Sequence, residues 1–561
     1  MAAVFLATLE DRYQLTRRRF MQGAAALLPA CLLPTSALLA QETGIVTDVH
    51  CHVFNAHDLP VRGFVQRVVF GDAEPTVVPN EAPEVNRALA PWIGAVLVRQ
   101  LLTGTAPSAE MELRTIEAQA DAGIENAPSM DSDVATLAEA LRATMSESFS
   151  QSFENLPAFE RQVSGASAGY FMRRLAEEAG QSEDSLLSPE MGADPYPNMA
   201  RSLLSGDGKI SRYFRWAALF NSPRRKIVAE IERLFGGPDR VRLFTPALID
   251  FSRWLDEEPR SNLESQIRVM ERIQRLERRS MVHCFVAYDP WREVADQEIG
   301  GTNTALDLVK WAINDMGFIG VKLYPPMGFM PAGNEGSTLA FPERAGDISQ
   351  FTRKLDEALD KLFSWASSQG VPIMAHSADS NGAGPGYSGR ASPANWKPVL
   401  LKYPELRLNL AHFGGFEKSV AGGEDWENIR VALVSSGAKN LFADVGFLSE
   451  ILPGHSTPAE MQRLSAAFAS YVANSDPNVE RLMFATDWIM LGQEAGFSDY
   501  FEVVDRFTQA VGITDEKRQR FLSGNAKRFL GLSKNEPART RLESYYQAKH
   551  MDAKRLQEFD I

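Results

Sequence analysis

Eight short apolar runs, most of them ending in a polar residue or at a glycine or proline, constrain the fold of this chain most strongly. The runs cover residues 44–52, 241–250, 280–289, 318–324, 371–376, 407–412, 440–446 and 481–487. From the second run onward they alternate with helical patterns, such as residues 264–278 and 349–369. Apolar strands that alternate with helices are typical of parallel sheets covered by helices. The count of eight predicts an α/β protein with a closed (β/α)8 TIM barrel, and the alternative is an open, doubly wound sheet.

The segment between the first and second runs is far longer than one barrel helix requires. Helical patterns occupy residues 83–101 (interrupted at Pro91), 111–122, 133–146, 170–179 and 223–234. We therefore predict that residues 44–84 and 236–532 form the barrel, that residues 85–235 form an α-helical insertion, and that residues 533–561 form a C-terminal helical tail. The loop after the first strand lies over the active site of a TIM barrel. The insertion is accordingly expected to act as a lid or substrate wall.

The first forty residues have the features of an export signal. Arg17 and Arg18 precede a stretch from Phe20 to Gln41 that carries no charge. This pattern resembles a twin-arginine signal peptide, so we expect a periplasmic protein whose processed form has no stable membrane insertion. An uncleaved membrane anchor is the alternative, although Pro29 and Pro34 weaken a spanning helix.

Composition excludes several classes of protein. With 44% hydrophobic and 23% charged residues, the chain is neither disordered nor a multi-span membrane protein. A formal net charge of −14 makes nucleic acid an improbable partner. The 3 cysteines cannot build a disulfide framework or a four-thiolate zinc site.

Histidines and an aspartate close several of the apolar runs. His50 and His52 are one residue apart on the first run, so their side chains point to the same face of a strand. His376, His412 and Asp487 end the fifth, sixth and eighth runs. The C-terminal ends of barrel strands converge, and imidazole and carboxylate groups bind divalent metals. The pattern predicts one metal site at the top of the barrel.

The ordered set of HxH, His, His and Asp resembles the amidohydrolase superfamily of metal-dependent hydrolases and decarboxylases. Four phrases resemble its amidohydrolase-related branch: GVKLYP at residues 320–325, NLAHFGG at 409–415, ATDW at 485–488 and GNAKRFLGL at 524–532. The resemblance covers about residues 44–84 and 236–532.

Carried onto this chain, the resemblance implies that His50, His52, His376 and Asp487 ligate a divalent metal, expected to be Zn²⁺. It gives Asp487 a second role as the group that holds or deprotonates the metal-activated water. His412 is either a ligand of a second metal or the catalytic histidine beside a single metal. A carboxylate next to a Lewis-acidic ion is suited to accept a proton from water, which agrees with these roles.

Three further residues carry expectations about metal number and substrate. Lys322 ends the fourth run, where the resemblance allows a carboxylated lysine that bridges two metals; otherwise Lys322 binds substrate or pairs with a carboxylate. One ion is the preferred interpretation and two ions the alternative. We expect Tyr324 to bind substrate. Arg390, in the loop after His376, is a candidate to hold a substrate carboxylate, and an ordinary surface loop is the alternative.

These residues predict an exported, metal-dependent hydrolase of a small amide, ester or lactone. A metal-dependent, non-oxidative decarboxylase is the alternative, because relatives with the same ligands split C–C bonds. A non-catalytic binding protein on the same barrel is the third hypothesis. The expected partner is a small-molecule substrate, and a homo-oligomer is compatible with the sequence.

Overall fold

The structure is a computed structural model that describes most of the chain after residue 43. The described residues are 44–71, 83–118, 130–146, 165–180, 194–301, 303–378, 380, 382–384, 386–414 and 426–560. The predicted signal peptide, residues 1–40, lies outside the described residues. Parts of the predicted insertion lie outside them as well.

A single parallel sheet lies at the centre of the fold. Its strands are β1 (Thr47–His52), β2 (Leu243–Ala247), β3 (Met281–Val282), β4 (Phe285–Ala287), β5 (Gly320–Leu323), β6 (Ile373–Ala375), β7 (Leu408–Leu410), β8 (Leu441–Asp444) and β9 (Leu482–Met483). Both β3 and β4 pair with β2 and together form the third barrel strand, which is interrupted at His283 and Cys284. The other strands pair in sequence order from β4 to β9. All eight predicted runs therefore contain barrel strands.

Hydrogen bonds between the first and last strands close the barrel. The Val49 N–H donates to the Phe484 carbonyl at 3.3 Å, and the Asp487 N–H donates to the His50 carbonyl at 2.7 Å. The buried carboxylate of Asp48 accepts the Thr486 hydroxyl at 2.6 Å across the same seam. These bonds join β1 to the segment of β9, so the prediction of a closed (β/α)8 barrel is confirmed and the open sheet is excluded.

Helices cover the outside of the barrel between and after its strands. Between β2 and residue 532, the described α-helices of at least five residues are Leu263–Leu276, Pro290–Glu298, Ala305–Asp315, Ile348–Gln369, Lys397–Lys402, Trp426–Ser435, Pro458–Ser470, Tyr500–Ala510, Asp515–Gln519 and Asn525–Leu530. The longest begins where the Asp347 side chain accepts the Gln350 N–H, and it ends at Gly370 in the left-handed conformation. Its inner face buries Phe351 and Leu355 against the barrel.

Seven helices lie between β1 and β2 in the described part of the predicted insertion. They are Pro83–Thr103, Ala109–Ala118, Met130–Ser146, Gly165–Glu178, Tyr196–Ser205, Lys209–Phe220 and Arg224–Phe235. The predicted interruption at Pro91 is wrong, because the helix Pro83–Thr103 continues through it. A proline removes one backbone hydrogen bond, and burial of Trp92 and Ile93 holds the helix together there. The helices Tyr196–Ser205 and Lys209–Phe220 had no counterpart in the sequence prediction.

This helical region packs on loops that follow β1 and β9. The Trp216 indole N–H donates to the Ile489 carbonyl at 2.9 Å, and the Phe220 ring stacks on Phe54 with centroids 5.4 Å apart. Buried Arg224 contributes a further link, since its guanidinium contacts the Asp58 carboxylate at 2.5 Å. The contacts lie at the C-terminal ends of the strands. A role for these helices as a lid or substrate wall remains a prediction.

The barrel interior and the tail share a second hydrophobic core, distinct from the larger core between strands and helices. Side chains alternate along each strand, so Met374 and Phe442 point inward while their neighbours point out. Tyr546 and Phe559, from the tail helix Pro537–Ala548 and the segment after it, join this inner cluster together with Met281 at the start of β3. The tail thus covers the N-terminal end of the barrel. Among the described helices, none is both long and apolar enough to cross a membrane.

Candidate metal centre

The structure brings the five predicted metal-site residues together at the C-terminal ends of the strands. The Asp487 carboxylate oxygen Oδ1 lies 3.4 Å from Nε2 of His50 and 3.3 Å from Nε2 of His52. The Nε2 atom of His412 lies 3.0 Å from Nδ1 of His376. The rings of His50 and His412 connect the two groups, with centroids 4.9 Å apart.

Three of these residues place their ligand atoms close enough together to hold one metal ion. One ligand atom each from His50, His412 and Asp487 lies within 4.8 Å of the other two. Two imidazoles and a carboxylate form a donor set suited to Zn²⁺ and similar divalent ions. His52 and His376 touch members of this trio directly. Their individual roles as ligands remain predictions.

Backbone carbonyls fix the orientation of two of the imidazoles. The Nδ1 atom of His52 lies 2.9 Å from the Ala247 carbonyl oxygen, and that of His412 lies 3.0 Å from the Gly446 carbonyl oxygen. A carbonyl can only accept, so Nδ1 must carry the proton in both rings. The lone pair then resides on Nε2, which faces the cluster. Outer contacts of this kind typically orient metal-ligating histidines.

Asp444, at the end of β8, contacts the His50 ring in the way that the backbone carbonyls contact the other two rings. The sequence prediction missed Asp444. Its carboxylate is fully buried and lies 3.4 Å from Nδ1 of His50. It also accepts the Asn409 amide N–H at 2.6 Å, the His412 backbone N–H at 3.2 Å and the Gly446 backbone N–H at 2.9 Å. The rule that identified Asp487, a polar residue at the end of an apolar strand, also applies to Asp444 and could have found it.

Asp48 shares a strand face with His50, but its contact is with the backbone rather than the imidazole. It accepts the His50 N–H at 3.2 Å and the Thr486 N–H at 3.1 Å. Asp48 therefore aligns β1 with the segment after β9, while Asp444 contacts the His50 ring.

The ionisation states of the cluster match those of metal ligands. Burial, reinforced for His50 by the positive charge of Lys322 and for His376 by neighbouring His412, holds the pKa of both histidines well below the ordinary value. Burial opposes ionisation of Asp487, but the His50 ring and a hydrogen bond with His52 outweigh it and lower the pKa of Asp487 to about 2. Metal binding requires neutral imidazole and ionised carboxylate, and this site supplies both.

Two residues of the cluster and one neighbour have a strained backbone. His412, Phe413 and Asp487 have φ values of 59°, 54° and 55°, in the left-handed region that side chains other than glycine rarely adopt. Each such residue costs roughly 1–2 kcal/mol, and strained backbone clusters at functional sites. The turns direct His412 and Asp487 back over the end of the barrel.

Lys322 points into the barrel directly beside the cluster. Its buried ammonium lies 2.9 Å from Nε2 of His50, the nitrogen whose lone pair a metal would use. Burial lowers the pKa of Lys322 to about 8, although Asp487 and Asp444 oppose this shift. The lysine is thus placed either to contact a bound substrate or to contribute to a second metal, as the sequence left open.

Tyr324 also lies at the cluster. Its ring packs on His376 with centroids 4.3 Å apart, and its hydroxyl is 3.5 Å from the hydroxyl of Ser380. Ser380 in turn lies 2.8 Å from Nε2 of His376. Burial raises the pKa of Tyr324 to about 12, so the phenol stays protonated and can donate a hydrogen bond.

Arg390 is not brought to the cluster. Its guanidinium donates to the carbonyls of Gly328 and Ala340, and it stacks on the Tyr387 ring at 3.7 Å from the centroid. The residue is buried in these contacts. They give Arg390 a structural role in its loop, and its predicted contact with a substrate carboxylate has no support from this arrangement.

A small cavity of about 10 Å³ adjoins Lys322 and Tyr324 on the side of β2 and β4. Phe251, Trp254 and Phe329 supply much of its apolar wall. Its volume suits roughly one water molecule, so in this conformation it adds little space for a substrate.

Comparison with known families supports the resemblance seen in the sequence. Residues 269–532 match the family model described as amidohydrolase. Residues 269–532 belong to the amidohydrolase family. The matched segment contains Lys322, His376, His412 and Asp487, whereas the pair His50 and His52 lies outside it.

The solved structures that are similar to this chain have low sequence identity to it. An uncharacterised TIM-barrel protein from Bordetella bronchiseptica is 16% identical, with 54% of this chain and 82% of that chain covered and a TM-score of 0.33. A zinc-bound amidohydrolase from Burkholderia multivorans is 12% identical, with coverages of 54% and 87% and a TM-score of 0.34. A dihydroxybenzoic acid decarboxylase from a Polaromonas species, bound to manganese and an inhibitor, is 14% identical, with coverages of 63% and 94% and a TM-score of 0.30. No curated protein matches the chain.

Proposed function

We propose that the protein is a metal-dependent hydrolase of a small amide, ester or lactone. One observation carries the proposal: the Asp487 carboxylate lies 3.4 Å from Nε2 of His50 and 3.3 Å from Nε2 of His52, which brings three of the proposed ligands together. Hydrogen-bond acceptors behind the rings of His52 and His412 leave the Nε2 lone pairs on the sides of the rings that face Asp487 and His376, respectively. A donor set arranged in this way, at the C-terminal end of an amidohydrolase barrel, suits a divalent cation, and Zn²⁺ is the expected one.

The cation would supply Lewis acidity to a water molecule or a substrate carbonyl. Asp487 would then accept a proton from the attacking water, because its carboxylate is ionised at neutral pH and the rings of His50 and His52 flank it. His412 would first take up a proton at Nε2; the protonated ring could then stabilise negative charge on the substrate oxygen or pass that proton to the leaving group. Tyr324 would bind substrate through its protonated hydroxyl.

We favour one metal ion over two. The four proposed ligands of the first ion are His50, His52, His376 and Asp487. A second ion would need His412 and a carboxylated Lys322, whereas the ammonium of Lys322 already has Asp487 and Asp444 as counter-charges. In a single-metal site, Lys322 and His412 are not metal ligands and can contact the substrate.

A decarboxylase is the second candidate, and the position of Lys322 favours it. An ammonium group 2.9 Å from His50 could hold a substrate carboxylate beside the metal. The same ligands would then assist loss of carbon dioxide without consuming water. A non-catalytic binding protein accounts less well for the complete donor set and for the strained turns at His412 and Asp487.

The site of action that we propose is the periplasm. Arg17, Arg18 and the uncharged stretch after them support export by the twin-arginine pathway, which carries folded proteins with their metals. A small-molecule substrate in that compartment is the proposed partner.

Product analysis tests the proposed reaction. Zinc-loaded protein is incubated with a panel of small amides, esters, lactones and aromatic carboxylic acids, and the products are identified by mass spectrometry. Hydrolysis predicts a new acid together with an amine or alcohol, or a ring-opened acid, and no turnover by Asp487→Asn. Release of carbon dioxide would establish the decarboxylase instead. Binding without turnover across the panel would favour the non-catalytic hypothesis.

A further inference from the structure

A second cavity lies at the opposite end of the barrel from the metal centre. It has a volume of about 470 Å³ and lies between the tail and the starts of two strands. Met281, the first residue of β3, contributes to its wall, as does Arg242, which directly precedes β2. Ligand cavities commonly have volumes of roughly 300–1,000 Å³, so this one is large enough for a small molecule.

The lining of this cavity is strongly basic in a chain that is acidic overall. Four guanidinium groups and two carboxylates line it, namely Arg242, Arg278, Arg279, Arg555, Asp552 and Glu558. The positive groups outnumber the negative ones by two, whereas the whole chain has a formal net charge of −14. A local reversal of charge of this kind attracts anions.

Most of the hydrogen bonds that these arginines donate go to backbone carbonyls. A carbonyl carries no net charge, so these bonds do not neutralise the positive charge of the guanidinium groups. Arg555 donates to the carbonyls of Glu277 and Ser280 at 2.9 and 2.6 Å, and Arg278 donates to the Arg275 carbonyl at 2.6 Å. Arg242 is the member that pairs with a carboxylate, that of Glu558 at 2.5 Å.

Arg279 is the free member of the set. Its side chain is exposed at the cavity and makes no hydrogen bond or ion pair with any residue that the structure describes. A guanidinium presents a planar fork of donors that matches the oxygens of phosphate and carboxylate groups. An unpaired guanidinium at the wall of a basic cavity is therefore available to a ligand.

We propose that this cavity binds a small oxyanion with two negative charges. The excess of two positive charges matches a dianion, and Arg279 provides the bidentate contact while Arg278 contributes additional positive charge. Inorganic phosphate and a short dicarboxylate share this chemistry, and binding experiments separate them. The tail supplies Arg555, so an occupied site would also hold the tail against the barrel.

Isothermal titration calorimetry tests the proposal on the full metal-loaded protein. Inorganic phosphate and succinate are titrated separately, at pH 7.5 and at constant ionic strength maintained with chloride. We expect one of them to bind with a stoichiometry of about one in addition to any binding at the metal centre. Arg279→Ala should weaken that binding by about tenfold or more, and Arg279→Lys by less, because lysine keeps the charge and loses the fork.

Arg233→Ala is the matched control, since it removes one exposed arginine from a helix of the inserted region. Its affinity for the anion should equal that of the wild type. Binding at the metal centre would be unaffected by Arg279→Ala, so the variant separates the two sites. Equal affinity of wild type and Arg279→Ala for both anions, or no binding of either anion beyond the metal centre, would overturn the proposal.

Discussion

Asp444 contacts His50 on the side of the imidazole that faces away from Asp487. The Asp444 Oδ2 atom is 3.4 Å from Nδ1 of His50, while Nε2 of the same ring is 3.4 Å from Asp487. One ring therefore connects a buried carboxylate behind the site to the carboxylate that we propose as ligand and base. The same Asp444 accepts the backbone N–H of His412, so it positions two members of the cluster at once.

Asp444→Asn is expected to weaken metal binding while leaving the fold intact. An amide keeps the shape, but its NH2 group would oppose the Asn409 amide that now donates to the carboxylate at 2.6 Å. Loss of a group that orients a metal-ligating histidine from behind typically costs 10–100-fold in metal affinity. We expect a loss of about that size in a competition assay with a chromogenic zinc chelator.

The control for this prediction is Asp476→Asn. Asp476 is also buried and accepts backbone N–H groups, but it precedes β9 at the end of the barrel opposite the metal centre. The Asp476→Asn variant should be less stable than the wild type, without a comparable loss of metal affinity. Equal effects of the two substitutions would mean that Asp444 acts only through general stability.

The number of metal ions depends on Lys322. With one ion, the fully loaded wild type should contain about one metal per chain and Lys322→Ala should retain it, because lysine is then not a ligand. Elemental analysis of both proteins after zinc loading and desalting gives the answer. Two ions in the wild type, with one lost in Lys322→Ala, would instead establish the bridging lysine. Partial rescue of that variant by bicarbonate or a short acid would strengthen that result.

Stability should depend on pH through Glu277, outside the metal centre. Burial, together with the neighbouring Glu232, raises the pKa of Glu277 from 4.5 to about 7, and Arg225 and Arg278 only partly oppose this. The folded state therefore holds its proton more tightly than the unfolded state. Below about pH 4.5, Glu277 is protonated in both the folded and the unfolded state. Between pH 4.5 and 7 the free energy of unfolding falls, because the unfolded state releases the proton readily whereas the folded state would have to bury an ionised carboxylate.

Glu277→Gln should consequently stabilise the protein at pH 8, by on the order of 1–3 kcal/mol, and have little effect at pH 4. Urea denaturation at the two pH values measures the difference. Glu516→Gln, at an exposed helix position, is the control and should give no comparable stabilisation at pH 8. A stabilisation of Glu277→Gln that does not grow with pH would contradict the argument.

Export should require the arginine pair. Replacing Arg17 and Arg18 with lysine keeps the charge but should leave an unprocessed precursor in the cytoplasm. Fractionation and immunoblotting of the wild type and this variant provide the comparison. Normal processing of the variant into the periplasm would reject a twin-arginine signal.

The barrel could be predicted because its strands are buried on both faces and thus form continuous apolar runs. His50, His52, His376, His412 and Asp487 stood out because polar side chains at the C-terminal ends of such strands must meet. Other features depend on three-dimensional contacts that periodicity does not encode. Arg390 lies in a loop, and only the fold reveals that the carbonyls of Gly328 and Ala340 and the Tyr387 ring engage it.

The central claim, a divalent metal held through Asp487, is tested most directly by the metal content and zinc affinity of wild type and Asp487→Asn. The substitution keeps the shape of the side chain but removes its charge and basicity. Wild type should retain about one zinc ion per chain after loading and desalting, and Asp487→Asn should bind zinc at least about tenfold more weakly. The two metal-free proteins should melt at similar temperatures, since the barrel core does not depend on this carboxylate. Zinc binding of equal affinity in the two proteins, or a wild type that retains no divalent metal, would contradict the account.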